Sequence, residues 1–120
     1  MQTILTVDDS RTMRDMLRMA LVEAGFNVVQ AVDGVDGLDV LQQSTPDVIV
    51  TDINMPKMDG FGLIEAVRKD NRYRKVPILV LTTESDAAKK QRAKEAGATG
   101  WIVKPFEPTK LIAAIRRVAA

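Results

Sequence analysis

Short apolar runs recur along this chain, and four of them stop at a residue that carries chemistry. Ile4-Leu5-Thr6-Val7 ends at Asp8 and Asp9, and Val48-Ile49-Val50-Thr51 ends at Asp52. Ile78-Leu79-Val80-Leu81 ends at Thr82, and Trp101-Ile102-Val103 ends at Lys104. Between the runs lie stretches with apolar residues at three- and four-residue steps, the period of an amphipathic helix. Strands alternating with such helices imply a parallel sheet covered on both faces. Right-handed crossovers then bring every strand's C-terminal end to one edge, which is where open α/β sheets bind ligands. Three carboxylates, an ammonium and a hydroxyl are therefore expected to converge there.

The pattern predicts five strands and five helices. After the first run, Met13, Met16, Leu17, Ala20, Leu21 and Ala24 form one buried helix face, and Gly25 supplies a left-handed cap. A second strand is expected over 27–31. A second helix follows over 33–43 with Leu38 and Leu41 inward, broken by Ser44-Thr45-Pro46 before a third strand over 47–51. Residues 55–60 are turn-rich and 61–69 helical. Pro77 opens the fourth strand, Ser85 is the expected cap of a helix running to Ala96, and Gly97 closes it. A fifth strand covers 100–103, and Pro108 suits the first turn of a last helix ending near Val118. The third and fourth runs are almost wholly apolar, as strands buried on both faces should be.

Composition narrows the chemistry. With 120 residues the chain suits one domain with one core. It is 46% hydrophobic and 28% charged with a formal net charge of +1, which indicates neither disorder nor a nucleic-acid partner. The absence of cysteine excludes a disulfide scaffold and thiolate chemistry, and fits a reducing cytoplasm. The absence of histidine excludes a His-based triad and argues against zinc. No signal core is visible, and no apolar run approaches the roughly 18 residues that span a bilayer.

What remains is oxygen-donor chemistry. Asp8 and Asp9 alone could merely favour the positive end of the following helix, worth about 0.3–1 kcal/mol. Asp52 has no such role, because Met55-Pro56 rather than a helix follows it. Gathering three carboxylates costs Coulomb energy unless cations intervene, and one Mg²⁺ together with the Lys104 ammonium would balance them. Neither G-x-x-x-x-G-K-[ST] nor G-x-G-x-x-G occurs, so a phosphoryl group must arrive on another molecule. A carboxylate accepts one without a general base, since it is ionised at neutral pH.

Taken together, these residues resemble a known family. The Asp8-Asp9 pair, Asp52 before Ile53-Asn54-Met55-Pro56-Lys57-Met58-Asp59-Gly60, Thr82, and Lys104-Pro105-Phe106 are similar in kind and order to the receiver domain of bacterial response regulators. Ser10-Arg11-Thr12-Met13-Arg14 and Glu23-Ala24-Gly25-Phe26-Asn27 resemble its single-domain chemotaxis members. The likeness covers the whole chain, 1–120, as one receiver domain. It implies a flavodoxin-like, doubly wound, five-stranded parallel sheet of order 2-1-3-4-5 with five helices. It also implies that Asp52 accepts a phosphoryl group from a histidine kinase. Asp9 would hold Mg²⁺ directly with Asp52, Asp8 would act through water, and the backbone carbonyl of Asn54 would complete the set. Thr82 and Lys104 would bind phosphoryl oxygens, and the bond before Pro105 would be cis. Such a chain is no enzyme in the ordinary sense, although it assists its own phosphorylation and dephosphorylation.

The resemblance further implies a phosphorylation-dependent surface on the fourth helix, fifth strand and last helix. Trp101, Glu84, Lys89, Lys90 and Lys110 fall there, facing a downstream protein such as the flagellar motor switch. Trp101 stands where the family usually has tyrosine or phenylalanine; read simply, it is an outer-strand residue with its indole N–H in water. A monomer in the cytoplasm, binding neither nucleic acid nor membrane, is expected. Two other functions fit the residues: a phosphate sink or relay intermediate, and a Mg²⁺-dependent phosphatase or phosphotransferase of haloacid dehalogenase type. The last prefers a second aspartate two residues after the nucleophile, where this chain has Asn54.

Overall fold

The computed structural model describes residues 2–119. Strands β1 (Thr3–Val7), β2 (Asn27–Ala31), β3 (Val48–Thr51), β4 (Ile78–Thr82) and β5 (Gly100–Val103) alternate with helices α1 (Arg11–Glu23), α2 (Gly34–Ser44), α3 (Gly60–Lys69), α4 (Ala87–Ala96) and α5 (Pro108–Ala119). A single 3₁₀ turn over Asn71–Tyr73, which the sequence pattern does not signal, joins α3 to β4. All strand pairs are parallel, and the order is β2-β1-β3-β4-β5. This is the flavodoxin-like topology expected, with β1, β3 and β4 interior and β5 on an edge.

Every residue of β3 and β4 is buried, so these strands have no polar face, whereas β5 is half-exposed. The two faces of the sheet carry two separate apolar clusters. On one, Leu5, Val7, Ile49 and Val80 pack with Leu41 of α2 and Leu63, Ile64 and Val67 of α3. On the other, Ile4, Val48, Val50, Leu79 and Leu81 pack with Leu17 and Leu21 of α1 and Leu111 and Ile115 of α5. Burying each of these side chains contributes about 1.5–3 kcal/mol, so the sheet edge rests on a rigid support.

Caps set the helix boundaries. Ser10, Asp33, Asp59 and Asp86 each accept a hydrogen bond from a backbone N–H of the following first turn. Asp86 replaces Ser85 as the cap of α4. Both residue types suit the role, and the Ala- and Lys-rich α4 has no apolar period to choose between them. Gly97, at φ 118°, closes that helix with left-handed backbone, as expected. The expected inner face of α1 is too wide: Leu17 and Leu21 are buried, but Met16 is 51% exposed at the margin.

Candidate functional site

Topology delivers the converging side chains. Asp8 and Asp9 leave β1, and Asp52 leaves the adjacent β3, whose Thr51 lies beside Val7. Thr82 ends β4, and Lys104 follows β5, where Val103 lies beside Thr82. The Asp52 amide donates to the Val7 carbonyl at 2.9 Å and the Lys104 amide to the Thr82 carbonyl at 2.7 Å, so hydrogen bonding continues one residue past each strand. The chain beyond Asp52 then folds back tightly. A Cβ at Gly60 would collide with the Asp52 carbonyl and with Ile53, so the start of α3 admits only glycine there.

One carboxylate oxygen from each of Asp8, Asp9 and Asp52 lies within 4.8 Å of the others. Lys104 Nζ donates to Asp8 Oδ2 at 2.9 Å and to Asp52 Oδ2 at 3.0 Å. The side chains of Asp8, Asp52 and Lys104 are 3%, 11% and 10% exposed, so these ion pairs are largely withdrawn from water. Burial pulls the Lys104 pKa down, but the hydrogen bonds and charges of the two carboxylates outweigh it, and the net shift is upward. The ammonium accordingly stays charged throughout the neutral range.

Asp9 differs from its two neighbours. It is exposed, and its carboxylate accepts no hydrogen bond among the described residues. Neither does it cap α1, since Ser10 does. Two buried carboxylates held by one ammonium, beside a third that is free, form a hard oxygen-donor set of the kind that suits Mg²⁺. Asp52 Oδ1 accepts the Ile53 amide at 2.6 Å, which fixes the carboxylate's rotation.

Glu84 joins the site to the molecular surface. Its carboxylate accepts from Asn54 Nδ2 and from Lys89 Nζ, both at 3.1 Å, and these contacts hold its pKa below the usual glutamate value. Its amide donates to Thr82 Oγ1 at 3.3 Å, and its carbonyl accepts the Trp101 indole N–H at 3.0 Å. The indole N–H therefore does not reach for water, contrary to the simple expectation. Thr82 is fully buried, and its hydroxyl proton donates to no group among the described residues. Thr83, one residue on, is exposed.

The remaining expected residues lie apart. Lys90 is exposed on α4, and Lys110, on α5, lies 3.6 Å from Glu107. The Lys104–Pro105 bond is cis, as the resemblance implies. Sequence reasoning gave no role to Arg14, whose guanidinium donates to the Asp8 carbonyl at 2.8 Å. It also missed Arg68, which donates to the carbonyls of Gly97, Tyr73 and Arg74. Neither contact has a sequence signal, because each is made to a backbone carbonyl brought near by tertiary folding.

Over residues 4–116 the chain matches the response regulator receiver domain. The chain belongs to that family. It is 41% identical over 110 residues to chemotaxis protein CheY1 of Helicobacter pylori, covering 90% of this chain and 89% of that protein. The structure of Vibrio cholerae chemotaxis protein CheY4 superposes with a TM-score of 0.94 at 47% identity, covering 98% of each chain. A probable transcriptional regulator, ycf27 of Guillardia theta, is 42% identical over 98% of this chain, but over only 45% of its own length. The chain thus spans about half the length of some curated relatives and nearly all of others. Receiver domains are phosphoacceptor signalling domains of two-component systems, charged by histidine kinases and acting on downstream targets.

Proposed function

We propose that Asp52 is the phosphoacceptor and that a phosphohistidine of a histidine kinase is the donor. The observation that carries this reading is the bridging of Asp8 and Asp52 by Lys104 beside the uncommitted Asp9. One carboxylate sits ready to attack, with a fixed cation beside it and an open acidic ligand.

An Asp52 carboxylate oxygen attacks the phosphorus in line, an O–P bond forms, the P–N bond breaks, and the imidazole leaves with the electron pair. Asp9, Asp52 and the Asn54 carbonyl would hold Mg²⁺, with Asp8 acting through water. Bound there, the ion supplies charge neutralisation for the phosphoryl oxygens as transfer proceeds. Lys104 turns from the carboxylate towards the new phosphoryl group, and the Thr82 hydroxyl donates its spare proton to another phosphoryl oxygen. The altered loop then changes the α4, β5 and α5 surface for a partner protein. Similarity to CheY1 and CheY4 favours chemotaxis, with a flagellar motor switch component as target, over a phosphate sink or relay.

The dehalogenase-type alternative needs a general acid two residues after the nucleophile. Asn54 occupies that place, and its amide is bonded to Glu84. Acetyl phosphate with Mg²⁺ should add one phosphoryl mass to the wild type and none to Asp52→Ala. Rapid multiple turnover of ordinary phosphomonoesters would contradict the switch reading.

A further inference from the structure

The Asp8–Asp9 turn is held by a residue outside the acidic cluster. Asp8 is anchored at all four polar positions: its amide donates to Ala31 O at 3.2 Å, Oδ1 accepts from the Ser10 amide at 2.9 Å, and Oδ2 accepts from Lys104 at 2.9 Å. The fourth anchor is Arg14, whose Nη1 donates to the Asp8 carbonyl at 2.8 Å. Arg14 is half-buried on the second turn of α1 and pairs with no carboxylate among the described residues. A cation near a helix N-terminus is opposed by the helix dipole, so this placement needs a compensating role. Its backbone is tied in turn to β2, because Gln30 Nε2 donates to the Arg14 carbonyl at 3.1 Å.

The bonded carbonyl matters because it shares a rigid peptide plane with the amide nitrogen and Cα of Asp9. Among the described residues Asp9 has no side-chain hydrogen bond of its own to set its direction. The orientation of that plane therefore sets the position of the Asp9 Cα and the base from which its carboxylate reaches.

We propose that Arg14 is a positioning residue for the cation site: by clamping the Asp8 carbonyl it aims the exposed Asp9 carboxylate at Asp52. This rests on the Mg²⁺ reading above and adds a residue that the acidic cluster alone does not reveal. Outer contacts that orient metal ligands typically change affinity 10- to 100-fold when removed.

The sign of the effect separates positioning from simple charge. A guanidinium repels a nearby divalent cation, so losing its charge alone would tighten Mg²⁺ binding. Losing the clamp would weaken it. Calorimetric titration of MgCl₂ into the unphosphorylated protein should show Arg14→Met binding about 10-fold more weakly than wild type. Arg14→Lys keeps the charge but is one atom shorter, and should fall between the two. Arg18→Met, an exposed arginine on the same helix, should match wild type. Equal or tighter binding by Arg14→Met, with saturable binding by wild type, would overturn the inference and leave the Mg²⁺ site standing. Absence of saturable binding by wild type would overturn both. Should Arg14→Met fail to fold, Arg14→Lys decides: affinity equal to wild type overturns the clamp, and weaker affinity supports it.

Discussion

Asp8, Asp9 and Asp52 share a residue type, but their surroundings give them different work. Asp8 is bonded on every polar atom, Asp52 is fixed by the Ile53 amide and Lys104, and Asp9 is left to water and to its like-charged neighbours. Asp9 is the one of the three with no stabilising side-chain contact among the described residues. Without Mg²⁺ its repulsion of Asp8 and Asp52 outweighs the small gain from its place at the positive end of α1, so Asp9→Ala should stabilise the unliganded protein by about 1 kcal/mol. The same substitution should remove most Mg²⁺ affinity. Urea unfolding with and without MgCl₂ checks both: the mutant should gain stability without the ion and lose the wild-type increment that the ion adds. A mutant less stable than wild type in both conditions would make Asp9 a structural residue. At this scale the sequence was most legible where chemistry coincides with a strand end, as at Asp52, Thr82 and Lys104. It was least legible where the partner is a backbone carbonyl: the Trp101 indole finds Glu84, and the Arg14 and Arg68 guanidiniums find carbonyls that no spacing rule could supply.

Among the elements, α4 is the least anchored by apolar packing. Its only buried residue is Ala93, and Arg92 lies 4.0 Å over the Phe61 ring, a contact worth about 0.5–1 kcal/mol at an exposed position. The pattern located α4 through its end signals rather than its faces, which is why the cap fell on Ser85 instead of Asp86. At its N-terminal side the β4–α4 loop is held by the Glu84 contacts to Thr82, Asn54, Lys89 and Trp101. Drawing Thr82 towards a phosphoryl group must disturb the Glu84 amide and, one residue's length away, the carbonyl bonded to Trp101. Trp101 is the only tryptophan, so its emission reports on this loop. Beryllofluoride with Mg²⁺ should change that emission in wild type and change it far less in Thr82→Ala. Equal changes in both would break the proposed link between Thr82 and the surface while leaving phosphate acceptance intact.

For the whole molecule, the parallel sheet does what no single element can: it sets residues as distant in sequence as Asp8 and Lys104 at hydrogen-bonding distance. Fold class was legible because the apolar runs of β3 and β4 leave no solvent face, and because helices must cover both sides. Strand order was not written in the periodicity; it came from the resemblance and is confirmed by the pairing of β1 with both β2 and β3. Two independent apolar clusters support the sheet, so the site can reorganise at one edge without loss of the core beneath it. No helix among the described residues is long and apolar enough to cross a membrane. If this edge serves to phosphorylate Asp52, borohydride will reveal it, because it reduces an acyl phosphate and marks the residue that carried it. After incubation with acetyl phosphate, peptide mass spectrometry should find the reduced product at Asp52 when Mg²⁺ is present and far less when the ion is chelated. Labelling at Asp8 or Asp9, or equal labelling without Mg²⁺, would rule out Asp52 as the Mg²⁺-dependent phosphoacceptor.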